Sequence, residues 1–403
     1  MIHMRKIKKL SAAAAVLAAL TLFAGCNNTG DSKTSASSAP ESTASVQESS
    51  KADESSAESK PDSSLESSKD DNSKAQTSSD GSSSPAGEQT EDTITPAVWE
   101  AADQNGNSIY LMGSMHLALP DAVNYPGYYE TAYAKCDALA VECDVSNVNI
   151  SQLSALNSVL YTDGTKISDH VPKDDYEKAK TTLQDAGAYM SAYDYYKPIM
   201  WAQVAEMSAA AQAGLSADYG ADTVMLKRAK NDGKEILELE SVEYQYEIMA
   251  EIPEETALLL FKEIGKPDYT EETAKQLQKY YDNWSKGTLD ESILSPENSL
   301  TPEQKKLIDD YNQLLIFDRN KNMEGKIKEY LASGKKVMVI AGAAHFYGDK
   351  GILQLLENDG YKIRRLTSAD ADPSVGTESK VISLPEQSSV SETETDPGIP
   401  RAA

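Results

Sequence analysis

Two short apolar runs in this chain break into the same four-residue pattern. "SIYLMGSMH" carries Gly113-Ser114-Met115-His116, and "KVMVIAGAAH" carries Gly342-Ala343-Ala344-His345. A third run, "DALAVEC", reaches Glu142, and a fourth, "EILELES", closes on Glu240. Short runs almost free of polar residues are what strands covered on both faces require. Such a sheet needs helices on its faces, and helical segments lie between the runs. "YYETAYAKC" predicts a short helix, and "KPIMWAQVAEMSAAAQAGL" predicts one with Pro198 in its first turn. "GADTVMLKRAKNDGK" predicts a helix stopped at residues 231–233. Residues 242–333 read as almost wholly helical, with stops at Gly265-Lys266-Pro267 and Lys286-Gly287. Met323, Ile327, Tyr330 and Leu331 then fall on one helical face. Gly334 caps that helix, "GDKGILQLLENDGY" supplies another, and "KIRRL" ends the series as a strand.

The first run is preceded by "AVWEAADQNG", where Asn105-Gly106 supplies the chemistry of a hairpin turn. An antiparallel pair is therefore expected beside the parallel strands. The fold class that follows is α/β: a mixed, largely parallel central sheet with flanking helices, and a helical insert between two GxxH-bearing halves.

In open α/β sheets functional groups gather beyond the carboxyl ends of the strands. Here four strand ends offer His116, Glu142, Glu240 and His345. The chain has only four histidines, so placing two in one local context is informative. Glycine at the first position lets the backbone turn sharply and lets another chain approach closely. Imidazole nitrogen and carboxylate oxygen together suit a divalent metal, or a general acid and base. Alone, each feature is commonplace: a histidine after glycine is usually structural, and a glutamate at a strand end is usually solvated. His170, in "ISDHVPKDD", lacks the setting and is expected in a loop. Cys136 and Cys143 flank one strand, roughly 23 Å apart at ~3.3 Å per residue, so they are expected as reduced thiols.

The two ends of the chain differ from this middle. Arg5, Lys6, Lys8 and Lys9 precede a run of about 15 apolar residues, the pattern of a secretory signal. That run ends at Phe23-Ala24-Gly25-Cys26, which resembles the lipobox of bacterial lipoproteins and implies lipidation at Cys26. Beyond it the chain is rich in Ser, Asp, Glu, Lys, Thr and Ala, with too little to bury to offset the cost of ordering. The expected organisation is a lipoprotein signal peptide at 1–25, a lipidated cysteine and disordered tether at 26–94, one domain at 95–367, and a disordered tail at 368–403. His3 would leave with the signal. A formal net charge of -26 argues against nucleic acid as partner.

The domain resembles the TraB/PrgY/GumN family, to which the Tiki proteases belong. The two GxxH motifs and Glu142 match that family's hallmarks. Tyr219-Gly220-Ala221-Asp222 resembles its "(Y)GxD" helix opening, and "LELESVEYQ", with Glu240 and Gln245, resembles its "LEtxexQ" segment. Arg319-Asn320 resembles its "RN" pair. The agreement runs from about Val98 to Leu366. Two small departures are Ser-Met inside the first motif and Cys143 where an aliphatic residue is usual.

The resemblance implies an extracytoplasmic, metal-dependent hydrolase of peptide bonds, tethered to the membrane through Cys26 and acting on a peptide or protein substrate. His116, His345 and one or both of Glu142 and Glu240 would hold Mn²⁺, Co²⁺ or Zn²⁺. A glutamate not on the metal would act as general base. Arg319 would stabilise an oxyanion, orient a carboxylate, or simply pair with a site glutamate. The competing expectation is a non-catalytic surface protein that sequesters a peptide or small ligand. A third holds that the histidines only close the two halves of the sheet.

Overall fold

The computed structural model describes residues 94–147, 150–294 and 300–375. The expected signal, Cys26, most of the tether and the tail beyond residue 375 lie outside them. Among the described residues, no helix is long and apolar enough to cross a membrane.

Six strands form one sheet in the order β4-β3-β5-β2-β1-β6. The hairpin comes first: β1 (Val98–Ala102) and β2 (Ser108–Ser114) pair antiparallel. Asp103 Oδ1 closes its turn by accepting from the backbone N–H groups of Asn105 and Asn107, both at 2.8 Å. Next come α1 (Gly127–Ala134), β3 (Ala138–Val141), α2 (Ile150–Ala155), α3 (Lys173–Asp185), α4 (Pro198–Gln212) and α5 (Ala221–Asn231). After β4 (Glu235–Glu238) the insert supplies α6 (Val242–Ala250), α7 (Glu254–Ile264), α8 (Tyr269–Ser285), α9 (Pro302–Asn312) and α10 (Asp318–Ala332). The chain returns through β5 (Val337–Gly342), α11 (Ile352–Asn358) and β6 (Lys362–Arg365). β2, β5, β3 and β4 run parallel, whereas β1 is antiparallel to both its neighbours. The mixed, largely parallel sheet and the helical insert are as the sequence predicts.

Side chains of the central strands alternate between two cores, as a period of two demands. Ile109, Leu111, Ala138, Ala140, Val337 and Val339 pack with Met323, Ile327 and Leu331 of α10 and with Ile352 and Leu356 of α11. Met112, Leu139, Val141, Met338 and Ile340 face the other way, into a core shared with α4, α7 and α8. Every residue of β3 and β5 is buried. The edge strands β4 and β6 instead carry exposed Glu235, Glu238, Lys362 and Arg364, charges that discourage edge-to-edge pairing.

Several details were not foreseen. Helices α2 and α3 have no counterpart in the sequence reading, and a π-helical stretch, Gln313–Phe317, joins α9 to α10. The chain also stays ordered just past 367, where Thr367 caps a short turn at Ser368–Asp370 and Arg364 Nη1 donates to Asp370 Oδ1 at 2.6 Å.

Candidate functional site

Strand order creates the site. β5 lies between β2 and β3, so the ends of these three strands stand side by side: His345 follows the middle strand, His116 one neighbour and Glu142 the other. In the β2–β5 register Ser114 stands opposite Gly342, which brings the two GxxH segments together. Gly113 is needed there, because a Cβ would lie 2.9 Å from the Ala343 Cα, and real side chains do not approach backbone so closely. On the other side of His116, Ala118 and Ser216 exchange backbone hydrogen bonds, and the Ala221 N–H donates to the Met115 carbonyl at 2.9 Å. A Cβ on Gly220 would collide with the His116 carbonyl oxygen, so glycine admits this close passage.

Glu142 sits at the centre. Its Oε1 accepts from the Gly342 N–H at 2.6 Å, and its Oε2 accepts from Arg319 Nη2 at 2.7 Å and Gln245 Nε2 at 3.1 Å. The same Oε1 lies 3.8 Å from His116 Nε2 and 3.9 Å from His345 Nε2. Burial alone would raise the Glu142 pKa. The charge of Arg319, then those of the two imidazoles and the Gly342 N–H, outweigh it and hold the carboxyl down at about 2.

Arg319 is almost fully buried, and its donors are largely spent within the protein. Nε donates to both oxygens of Glu240 at 3.0 Å, Nη2 bridges Glu240 at 2.6 Å and Glu142, and Nη1 reaches the Leu315 carbonyl at 3.0 Å. Leu315 belongs to the π-helical stretch, so the guanidinium fills a carbonyl that the widened helix presents. Gln245 Nε2 also donates to Glu240, at 3.2 Å. Glu240 therefore directs its carboxylate at Arg319 and Gln245. It lies just beyond β4 rather than closing it, with its N–H on the Glu142 carbonyl at 2.8 Å.

The histidines differ in what holds them. His345 Nδ1 lies 2.6 Å from Asn320 Oδ1, and Asn320 is oriented by donating Nδ2 to the Lys350 carbonyl at 2.8 Å. An acceptor oxygen at Nδ1 fixes the proton there, leaving the Nε2 lone pair aimed at Glu142. That Nε2 is buried without a hydrogen-bond partner. Burial and then the Arg319 charge push the His345 pKa down to about 3, against the pull of Glu142. His116 Nδ1 instead faces Asp222 Oδ1 of α5 at 3.1 Å. Burial again opposes its charged form, but Asp222 and then Glu142 prevail, and its pKa is raised.

Among the described residues no three His, Cys, Asp or Glu side chains already stand as a closed metal cage. The donor set nevertheless fits a divalent cation. Two imidazole nitrogens converge on one carboxylate oxygen, one of them buried and unpartnered; Asn320 holds the His345 ring from behind, and Asp222 stands 3.1 Å behind that of His116. Two carboxylates against one guanidinium leave an excess negative charge around Glu142 that a cation would balance. A cavity of about 20 Å³, lined in part by His116, Glu142, Cys143 and Asp222, has room for about one water or ion. Cys143 is a poor ligand or nucleophile here, since burial and then the neighbouring glutamates raise its thiol pKa well above the ordinary value. Both it and Cys136 are free thiols. His170 lies apart, stacked on Tyr161 at 4.0 Å with Nε2 2.7 Å from Thr165 Oγ1.

A family model described as the TraB/PrgY/gumN family matches residues 97–365. "Uncharacterized protein YbaP" of Escherichia coli (strain K12) is 24% identical over 263 residues, covering 64% of this chain and 92% of that protein. The protein of the same description from Shigella flexneri matches with the same identity and coverage. No solved structure matches the chain.

Proposed function

The chain belongs to the TraB/PrgY/gumN family, and from that premise we propose an extracytoplasmic, lipid-anchored, metal-dependent hydrolase that cleaves peptide bonds in peptides or secreted proteins. One observation carries the reading: two imidazole Nε2 atoms face a single oxygen of a buried, ionised carboxylate. His116, His345 and Glu142 would hold a divalent ion such as Mn²⁺, Co²⁺ or Zn²⁺. Such an ion, when bound, lowers the pKa of water toward about 7 and polarises a carbonyl.

The chain's own residues do the rest. Asn320 keeps the His345 proton on Nδ1, so Nε2 stays a lone pair at any physiological pH. Asp222 aims His116 and favours charge on it. Arg319 and Gln245 fix the Glu142 carboxylate in one rotamer, and the Gly342 N–H fixes its other oxygen. Glu240 is better suited to bracing Arg319 than to ligation, since both its oxygens face Arg319 and, among the described residues, the imidazoles pair with Glu142 and not with Glu240. Arg319 in turn orients carboxylates and has little left to offer an oxyanion. The lipid anchor at Cys26 and the tether would hold this domain off a membrane.

The test is hydrolysis of a fluorogenic peptide library by the full mature chain, with added Mn²⁺, Co²⁺ or Zn²⁺ and with chelator. Turnover should vanish with chelator and in His116→Ala and His345→Ala. Peptide binding without turnover under every metal would instead favour sequestration. If alanine at either histidine lowers the melting temperature and metal never raises it, the histidines are structural.

A further inference from the structure

The cavity that His116 and Glu142 line has a volume of about 20 Å³, space for a water or an ion but not for a peptide group. Glu142 and His345 are buried besides, so any larger molecule reaches this carboxylate only if part of the wall moves. The wall has three parts. Val141, Ile340 and Ala341 come from β3 and β5, each of which is hydrogen-bonded to a strand on both sides. Asp222, Thr223 and Leu226 come from α5. That helix buries Val224, Met225 and Ala229, and Arg228 fastens it to Glu130 of α1 through hydrogen bonds of 2.8 and 2.5 Å. The third part is Cys143 and Val145, from the segment that leaves β3.

Beyond Cys143 this segment is a strap, residues 144–147, that ends in the single turn Val145–Asn147. Val145 packs on the core but is only partly buried, and Ser146 and Asn147 are exposed. Polar ties hold the strap down. Lys230, in the last turn of α5, donates to both Asp144 oxygens at 3.0 and 2.8 Å and also to Ser146 Oγ. Glu238 Oε1, at the end of β4, accepts from the Asp144 N–H at 2.7 Å. Among the described residues the other hydrogen bonds of the strap are local: Asp144 Oδ1 accepts from the Ser146 N–H and hydroxyl, and the Cys143 carbonyl accepts from the Val145 N–H. The sheet and α5 are fixed by buried packing, whereas the strap is fixed by charge at the surface.

We infer that residues 144–147 are the gate of the His116–Glu142 cavity, and that the Lys230–Asp144 ion pair is its latch. Lifting the strap removes Val145 from the wall and opens the Cys143 thiol and the His116 ring to solvent. A partly exposed ion pair is a weak tie that salt screens, which suits a contact that must open and close repeatedly. The gate governs access, so it stands whichever chemistry runs inside.

The two free thiols report on it. Cys143 lines the cavity beside the strap, whereas Cys136 lies just before β3 with its thiol on the Ala132 carbonyl. The full mature chain, free of metal, is labelled with N-ethylmaleimide, an uncharged reagent, and the rate at each cysteine is read by peptide mass spectrometry. Lys230→Met should speed Cys143 labelling about fivefold and leave Cys136 unchanged, while Lys230→Arg should label as wild type does. Loss of a nearby cation by itself disfavours a thiolate and slows the reaction, so acceleration has the sign of opening. Salt raised to about 1 M should speed Cys143 in the wild type and not in Lys230→Met. An unchanged or slower Cys143 in Lys230→Met overturns the gate. Equal acceleration at both cysteines also overturns it, because the whole domain is then loosening. Lys230→Arg labelling as fast as Lys230→Met overturns the ion pair as latch.

Discussion

The two GxxH segments share a pattern, adjoin in the sheet and face one carboxylate oxygen, yet their surroundings drive the two imidazole pKa values in opposite directions. His345 is backed by a neutral amide and fully buried, and its pKa falls to about 3. His116 is backed by the carboxylate of Asp222, lines a small cavity, and its pKa rises. Pattern therefore places an imidazole, and the residue behind the ring decides what that imidazole can do. One is suited to serve as a fixed neutral donor; the other can also carry charge.

The largest way to break this arrangement is to remove the cation that both glutamates share. Arg319→Leu leaves Glu142 and Glu240 buried without their counter-charge and should cost about 3–5 kcal/mol in urea denaturation. Next is pH, measured on the metal-free chain with chelator present. The unfolded chain protonates His345 near its ordinary 6.5 while the fold resists until about 3, so this group's contribution is lost as pH falls through that window. Glu206, a carboxyl buried on α4, has the reverse sign. Its folded pKa of about 8 exceeds the ordinary 4.5, so the unfolded chain releases a proton that the fold keeps, and stability declines as pH rises from about 4.5 to about 8. Each slope can reach about 1.4 kcal/mol per pH unit. His345→Gln should flatten the acid side and Glu206→Gln the neutral side.

A smaller effect sharpens the contrast directly. Asp222→Asn should drop the His116 pKa, followed by imidazole NMR, and weaken Co²⁺ or Zn²⁺ binding about 10–100-fold. Asn320→Asp is the converse and should raise the His345 pKa, making the two rings more alike. The smallest expected change is at Cys143→Ala. The thiol beside His116 only touches Gln245 Oε1 at 3.5 Å, so metal affinity and turnover should stay within about twofold. A large loss there would mean that the cavity on the His116 side uses sulfur.

The strands, the hairpin turn, the start of α4 at Pro198 and the helix stops near Gly265 and Gly287 were legible because each depends on near neighbours in sequence. The strand-end residues His116, Glu142 and His345 were legible for the same reason. Asp222, Gln245 and Asn320 entered only through the family pattern, and nothing local reveals which atoms they touch. The reading of Glu240 shows the limit: its place at a strand end was right to within two residues, but Arg319 from 79 residues away decides what its oxygens face.

By itself the sequence determined that apolar strands would be covered on both faces and would each release a polar residue at its end, because hydrophobic periodicity and glycine are local properties. Only the tertiary structure decided that β5 inserts between β2 and β3, so that residues about two hundred positions apart in sequence share one oxygen. It also decided that Arg319 would lock two glutamates and that the two imidazole pKa values would move in opposite directions. Those outcomes depend on burial and on charges brought within a few ångströms by packing, where the low dielectric of the interior makes each neighbour count.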